Sequence, residues 1–286
     1  MNVLVTGALG QLGQDVMQEL KRRNIPCKGV DRQDFDLCDR EETFRAVAGY
    51  APDAIIHCAA YTAVDKAESE KELCYQVNVE GTENLALAAK DAGAKMIYIS
   101  TDYVFDGQGE VPFEPNQKKD PVNYYGLTKA QGEDAAASIL NRLFILRISW
   151  VFGLHGGNFV KTMMRLGSQR EEVRVVDDQT GSPTYTADLA PLICDMIATD
   201  KFGVYHATNE GLCTWWEFAS AIMQEAGLDC RVTPIKTAEY PTAARRPYNS
   251  RLSKKRLDDA GFSRLPPWQD ALKRYIASLK KLEQEA

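Results

Sequence analysis

A short apolar run at residues 2–6 passes directly into Thr6-Gly7-Ala8-Leu9-Gly10-Gln11-Leu12-Gly13, after which Leu12, Val16 and Leu20 recur every four residues. An extended run, glycines at three-residue intervals and an amphipathic helix admit few arrangements. Glycine suits such a junction because the turn is tight, the backbone must approach a pyrophosphate with no Cβ in the way, and helix and strand pack closely. The helix N-terminus adds free N–H groups and partial positive charge facing the phosphates. The run therefore predicts a dinucleotide-binding turn, with Gly7, Gly10, Gln11, Leu12 and Gly13 against the cofactor.

The next 140 residues extend that unit. Short β-branched runs near residues 27–30, 54–58, 95–100 and 143–149 alternate with amphipathic stretches, one of them spanning about 70–92. Such alternation predicts an α/β fold, a Rossmann-type doubly wound parallel sheet. Ala54-Ile55-Ile56 and Met96-Ile97-Tyr98-Ile99 are apolar without alternation, as strands covered on both faces are. After about residue 150 the chain breaks at Gly156-Gly157, Gly181-Ser182-Pro183 and Pro241–Pro247 into shorter elements. The expected division is a dinucleotide-binding domain at 1–150 and a smaller C-terminal substrate lobe over 151–286, some of whose segments return to the first domain. That lobe should hold helices near 186–199, 214–226 and 268–284 and a strand near 203–207. At 286 residues and 44% hydrophobic, the chain can bury a sizeable core.

Charge narrows the partners. With 34 Lys+Arg against 40 Asp+Glu, the net charge of −6 and the absence of a long basic run give little means of gripping a nucleic acid or an anionic membrane. No apolar stretch approaches the length that spans a bilayer. A strand beginning almost at Met1 leaves no room for a secretory signal, so a cytoplasmic location is expected. The seven cysteines are scattered with no Cys-x-x-Cys spacing, which favours reduced thiols. His57, His155 and His206 lie in no metal-binding spacing, and no metal ligand set is assigned. His57 and His206, each inside an apolar run, read as hydrogen-bonded core residues.

Three further groups carry chemistry. Asp31-Arg32 follows the second strand, 24 residues after Gly7. The carboxylate suits the ribose hydroxyls of NAD and the arginine suits a 2′-phosphate, so the pair points both ways. Asp36-Leu37 fits an acceptor beside an apolar contact for adenine. Tyr125 and Lys129, the only Tyr-x-x-x-Lys in the chain, share a helical face. A phenol titrates near 10, so as an acid–base catalyst at pH 7 it needs a cation beside it, which Lys129 can supply. Tyr124, whose matching position is Thr128, is expected only to line the wall. The strand at 95–100 ends in Ser100-Thr101-Asp102-Tyr103, at the carboxyl edge where open α/β sheets bind ligands, and the Thr101 hydroxyl can bond a carbonyl there.

With these residues in this order, the chain resembles the extended short-chain dehydrogenases/reductases and, within them, the dTDP-4-dehydrorhamnose reductase family. The segments that carry the resemblance, beyond the glycine turn, are Ala59-Ala60-Tyr61-Thr62-Ala63-Val64-Asp65, Ser100–Phe105, Asn123–Lys129, Arg147–Gly153 and Arg245-Arg246-Pro247-Tyr248-Asn249-Ser250. The resemblance implies NADPH-linked reduction of the C4 ketone of a dTDP-sugar, with NADH left open. It implies that Tyr125 protonates the sugar oxygen, that Lys129 holds the ribose and lowers the Tyr125 pKa, and that Thr101 polarises the carbonyl. It places Ala59, Ala60 and Tyr61 beside the cofactor and Thr62, Asp102 and Trp150 around the sugar. Related sugar dehydratases follow Thr-Asp with a glutamate; Tyr103 stands here, which favours plain carbonyl reduction. Some members dimerise around a magnesium ion held by glutamates, so a homodimer is in view. This chain offers Asp15 in the first helix and Ala187 near the second position, which leaves magnesium open. Two other readings remain: reduction of a different nucleotide-linked 4-keto sugar, and a non-catalytic NADP-binding regulatory subunit. The retained Thr101, Tyr125 and Lys129 argue against the second.

Overall fold

The computed structural model describes residues 1–285. Strands and helices alternate through the first half as β1 (Val3–Thr6), α1 (Gln11–Arg22), β2 (Cys27–Val30), α2 (Arg40–Tyr50), β3 (Ala54–His57), α3 (Lys71–Tyr75), α4 (Gly81–Asp91), β4 (Lys95–Thr101), α5 (Tyr124–Ile139) and β5 (Leu143–Ile148). The elements then shorten: β6 (Val151–Phe152), α6 (Phe159–Gly167), β7 (Glu172–Val176), β8 (Thr180–Gly181), β9 (Thr184–Tyr185), α7 (Thr186–Ile197), β10 (Gly203–His206), β11 (Cys213–Thr214), α8 (Trp215–Ala226), β12 (Arg231–Ile235), α9 (Lys255–Asp259) and α10 (Trp268–Glu285).

Six strands pair in parallel in the order β10-β5-β4-β3-β1-β2. All residues of β1, β3 and β5 are buried, which explains their unbroken apolar character: helices cover both faces. On one face Val3, Val5 and Ile56 pack with α1 and α7. On the other, Leu4, Ile55 and Tyr98 pack with α2, α4 and α5. β1 lies between β2 and β3, so the winding reverses there and opens a crevice beyond the strand ends, directly below the glycine turn.

The late segments that return to the first domain are β10 and α7, and one expectation is corrected. The 203–207 strand does not belong to the smaller lobe: β10 pairs with β5 from Gly203↔Phe144 to His206↔Arg147, and α7 packs on α1. The chain thus returns to cover an edge and a face that residues 1–150 leave open. The run at 70–92 is also not one regular helix. Gln76–Glu80 forms a π-helical turn between α3 and α4. The wider turn turns Asn78 inward, where its amide bonds the Tyr61 backbone and the Thr128 hydroxyl.

The remaining elements form a second core, centred on Phe152, Phe218, Trp268 and Tyr275, with β7 and β12 paired in parallel. Its helices start at strong caps. Asn158 bonds the Lys161 N–H, and Thr214 and Glu217 cap α8 reciprocally.

Candidate active site

A cleft of about 1510 Å³ opens at the carboxyl ends of β1, β3, β4 and β5 and is roofed by the second lobe. Gly7, Gly10, Gln11, Leu12, Gly13, Asp31, Arg32, Asp36, Leu37, Ala59, Ala60, Tyr61, Thr62, Thr101, Asp102, Tyr125, Lys129 and Trp150 all line it. Tyr124 does not. Its backbone N–H binds Glu68 and its ring lies under Lys71, on the outer side of α5.

The glycine turn closes as its spacing requires. Gly7 has φ +66°, and a Cβ there would lie 2.6 Å from the Ala59 nitrogen. A Cβ on Gly13 would come within 2.1 Å of the Gly7 carbonyl oxygen, so α1 can start only with glycine at this point. The Asp31 carboxylate accepts the Leu9 N–H at 3.1 Å and the Arg32 N–H at 2.9 Å, which ties the end of β2 to the turn. The Arg32 guanidinium lines the cleft and has no hydrogen bond or ion pair among the described residues. Asp36 accepts the Cys38 N–H, and Leu37 lies against Gly81, whose Cβ position is 3.2 Å from it. On the opposite side Asn78 clasps the Tyr61 backbone, while the Tyr61 hydroxyl donates to Glu70 at 2.6 Å. Free N–H groups at a turn too tight for side chains, a carboxylate at the second strand and an unpaired guanidinium fit a dinucleotide bearing a 2′-phosphate.

The candidate catalytic residues come from α5 and the end of β4. Asn123 caps α5 through the Gly126 N–H at 2.8 Å, and its amide donates to the Arg245 carbonyl. Gly126 permits a close seat: a Cβ there would lie 2.1 Å from the Tyr103 carbonyl oxygen. Tyr125 and Lys129 then project one turn apart toward the cleft, with the Tyr103 ring edge-on to Tyr125 at 5.8 Å. The Thr101 hydroxyl donates to Asp102 at 3.0 Å. Lys129 donates to the Ile99 carbonyl at 2.8 Å and lies 4.0 Å above the Tyr98 ring.

Burial sets the charge states. It pulls the Lys129 ammonium down from 10.5 to about 7, against the pull of the Glu133 carboxylate. It pushes Asp102 up to about 6 despite hydrogen bonds from neighbouring side chains. Tyr125 stands above its ordinary 10, opposite to the shift expected from an adjacent cation. The reason is that desolvation and the Asp102 carboxylate both disfavour a phenolate, and the Lys129 ammonium is directed at Ile99 and Tyr98. A phenol held neutral is nonetheless the form that can give up a proton.

The second-lobe wall is aromatic. Trp150 adopts φ +50°, an uncommon conformation for a bulky residue, and stacks on Trp215 with ring centroids 3.8 Å apart. Phe159 packs against Trp215 at 4.5 Å. Neither Trp150 nor Trp215 hydrogen-bonds through its indole N–H among the described residues, whereas the Trp216 N–H is held by the Val232 carbonyl. Thr62 sits at the exposed rim. Sequence reasoning missed Trp215 and Asn78. The π-helical turn that aims Asn78 has no motif, and Trp215 stands beside a second tryptophan with nothing local to distinguish them.

His57 is buried between the Thr6 and Thr82 hydroxyls, and His206 is buried beside Arg147; burial pushes both down to about 3, so both are neutral. All seven cysteines are free. Among the described residues no three His, Cys, Asp or Glu side chains come together as a metal site. Asp15 is buried with Oδ2 unpartnered, and desolvation raises its pKa. Among the described residues no helix is long and apolar enough to cross a membrane.

Residues 1–281 match the family described as the RmlD substrate binding domain. The chain is 39% identical to the spore coat polysaccharide biosynthesis protein SpsK of Bacillus subtilis, covering 96% of each chain. It is 38% identical to dTDP-4-dehydrorhamnose reductase of Escherichia coli, covering 98% of each. The crystal structure of dTDP-4-dehydrorhamnose reductase from Bacillus anthracis in complex with NADP superposes with a TM-score of 0.95 at 42% identity, over 97% of this chain and 99% of that one.

Proposed function

The chain belongs to the RmlD substrate binding domain family, and from that premise we propose that it reduces the C4 ketone of dTDP-4-dehydro-L-rhamnose to give dTDP-L-rhamnose, with NADPH as coenzyme. The observation that carries the reading is the meeting, in one cleft, of the glycine turn with Thr101, Tyr125 and Lys129. Similarity to named reductases over nearly the whole chain, one of them bound to NADP, supports it.

Gly7, Gly10 and Gly13 would hold the pyrophosphate, Asp31 the ribose and Arg32 the 2′-phosphate. Bound there, the reduced nicotinamide supplies the hydride. The chain's own residues handle the other half of the reduction. Tyr125, neutral at pH 7, gives its hydroxyl proton to the ketone oxygen as C4 takes up the hydride, so the carbonyl becomes an alcohol with its C–O bond kept. The phenolate left behind recovers its proton from solvent, while Lys129, one helical turn away and hydrogen-bonded to the Ile99 carbonyl, would hold the ribose. Thr101 bonds the same carbonyl and draws charge toward oxygen. Trp150 and Thr62 border the sugar, and the aromatic roof excludes water from the reacting atoms.

The test is an absorbance assay at the nicotinamide band with dTDP-4-dehydro-L-rhamnose, with NADPH and NADH in turn and other nucleotide-linked 4-keto sugars alongside. The reading expects fast NADPH oxidation with the rhamnose precursor and slower oxidation with NADH. A clear preference for another keto sugar would reassign the substrate, and no oxidation with any of them would remove the reductase reading altogether.

A further inference from the structure

We propose that Glu133 is a positioning residue for this reaction: paired with Arg147 and bonded by Ser100, it clamps α5 onto the ends of β4 and β5 and sets a negative charge one helical turn from Lys129. The inference rests on the reductase reading and deepens it. Neither Glu133 nor Arg147 lines the cleft, so both act only through neighbours.

The clamp is built at one rung of the sheet. Ser100 and Arg147 are register partners on β4 and β5, and the next rung pairs Thr101 with Ile148. Glu133 Oε1 accepts the Arg147 Nε–H at 2.8 Å and the Ser100 hydroxyl at 2.5 Å, and Oε2 accepts an Arg147 Nη2–H at 2.7 Å. Lys119 approaches Oε2 at 3.4 Å. Arg147 also donates to the Pro115 carbonyl. The ion pair is almost wholly buried, the Arg147 and Glu133 side chains being 3% and 2% exposed. Such a pair adds little net stability over apolar residues of the same volume, so stability alone does not account for it. Its location supplies another account. Glu133 follows Lys129 by four residues on the same face of α5, and Ser100 directly precedes Thr101, so a single carboxylate links the helix that carries Tyr125 and Lys129 to the strand that carries Thr101.

Among the groups whose charge bears on Lys129, Glu133 is the ionised one, and it acts through its field with no direct ion pair between the two. Lys129 is faced by His57 at the end of β3 and Cys58 just beyond it, from α3 by Cys74, from β4 by the Tyr98 ring, and from its own helix by Glu133. Desolvation pushes Cys58 up to about 12, raises Cys74, Tyr98 and Tyr125, and pushes His57 down to about 3, so these groups are neutral at pH 7. Glu133 is held below its ordinary value by Arg147 and stays ionised. It opposes the desolvation that pulls Lys129 down.

The ammonium is present below the Lys129 pKa and lost as pH rises through it. Removing the Glu133 charge lowers that value, so in Glu133→Gln the alkaline limb of kcat/KM should move to lower pH by about one unit or more. Glu133→Asp keeps the charge and should keep the limb. Arg147→Lys leaves a cation beside Glu133, so the carboxylate stays ionised while the two-pronged packing is disturbed, and its limb should stay. A purely structural role would lower kcat in all three with superimposable profiles, which would overturn the proposal, as would a downward shift in Arg147→Lys equal to that in Glu133→Gln. If the lone Arg147 prevents Glu133→Gln from folding, the double variant E133Q/R147M leaves neither charge unpaired and should show the same downward shift. NADPH affinity by nicotinamide fluorescence over the same pH range is a readout independent of turnover. Shifted binding profiles without turnover of any keto sugar would sink the reductase reading alone. Turnover with unshifted profiles would sink the role of Glu133 alone.

Discussion

The floor and roof of the cleft are built from different materials. The floor, at the ends of β1, β3 and β4, presents backbone and small residues such as Gly7, Gly10, Ala59 and Ala60, whereas the roof presents the rings of Trp150, Phe159, Trp215 and Phe218. The floor is positioned by parallel strand pairing and a turn that only glycine can close. The roof is positioned by side chains packing on side chains between elements distant in sequence, with Trp150 held in a left-handed conformation by its surroundings. The floor is thus fixed by backbone geometry and the roof by side-chain packing, with the Asn158 amide bonded to Gln11 joining the two.

That contrast breaks most severely at the reacting phenol. Tyr125→Phe removes the proton donor and keeps the ring, so kcat should fall by roughly 10² to 10⁴ with NADPH affinity unchanged in a fluorescence titration. Near-normal turnover would show that the floor does not supply the acid. Next comes Gly13→Ala, whose Cβ would press on the Gly7 carbonyl oxygen at 2.1 Å. The variant should lose about 1–3 kcal/mol of stability in a denaturant titration and bind NADPH at least tenfold more weakly. On the roof, Trp215→Ala should raise KM for the sugar nucleotide about tenfold while leaving NADPH affinity unchanged, since the ring stacks on Trp150 and packs against Phe159 in the second lobe. Equal losses of coenzyme and sugar affinity would show that roof and floor are coupled. The smallest effect is expected at Gly157→Ala, where a Cβ meets nothing within 4 Å; Tm and both affinities should match the parent.

How far each part could be read in advance follows the same line. The turn at Gly7–Gly13 and the shared face of Tyr125 and Lys129 are local patterns, set by residues within one or two helical turns of each other, and both lie where the pattern puts them. The strands of the first half were legible because burial on both faces leaves an apolar signature. The 203–206 strand was visible as a strand, yet nothing within it indicates that its partner is β5. The helical run over 70–92 hid a π turn, because hydrophobic spacing registers the buried face and not the extra residue that swings Asn78 toward Tyr61. The Tyr125 proton affinity was misjudged for a related reason: a lysine four residues away is a sequence fact, but how much water the fold removes, and where the ammonium points, are not.

From the amino-acid order alone came the α/β class, the phosphate-facing turn, the pairing of a phenol with an amine and the family resemblance, since each depends on backbone rules acting over short separations or on ordered motifs. Only the tertiary structure decided that a strand from the second half completes the sheet, that Trp215 shares the roof with Trp150, and that Glu133, Arg147 and Ser100 meet under the reacting groups. Those contacts join residues that no local periodicity relates, and their energies depend on burial, which exists only once the layers have packed.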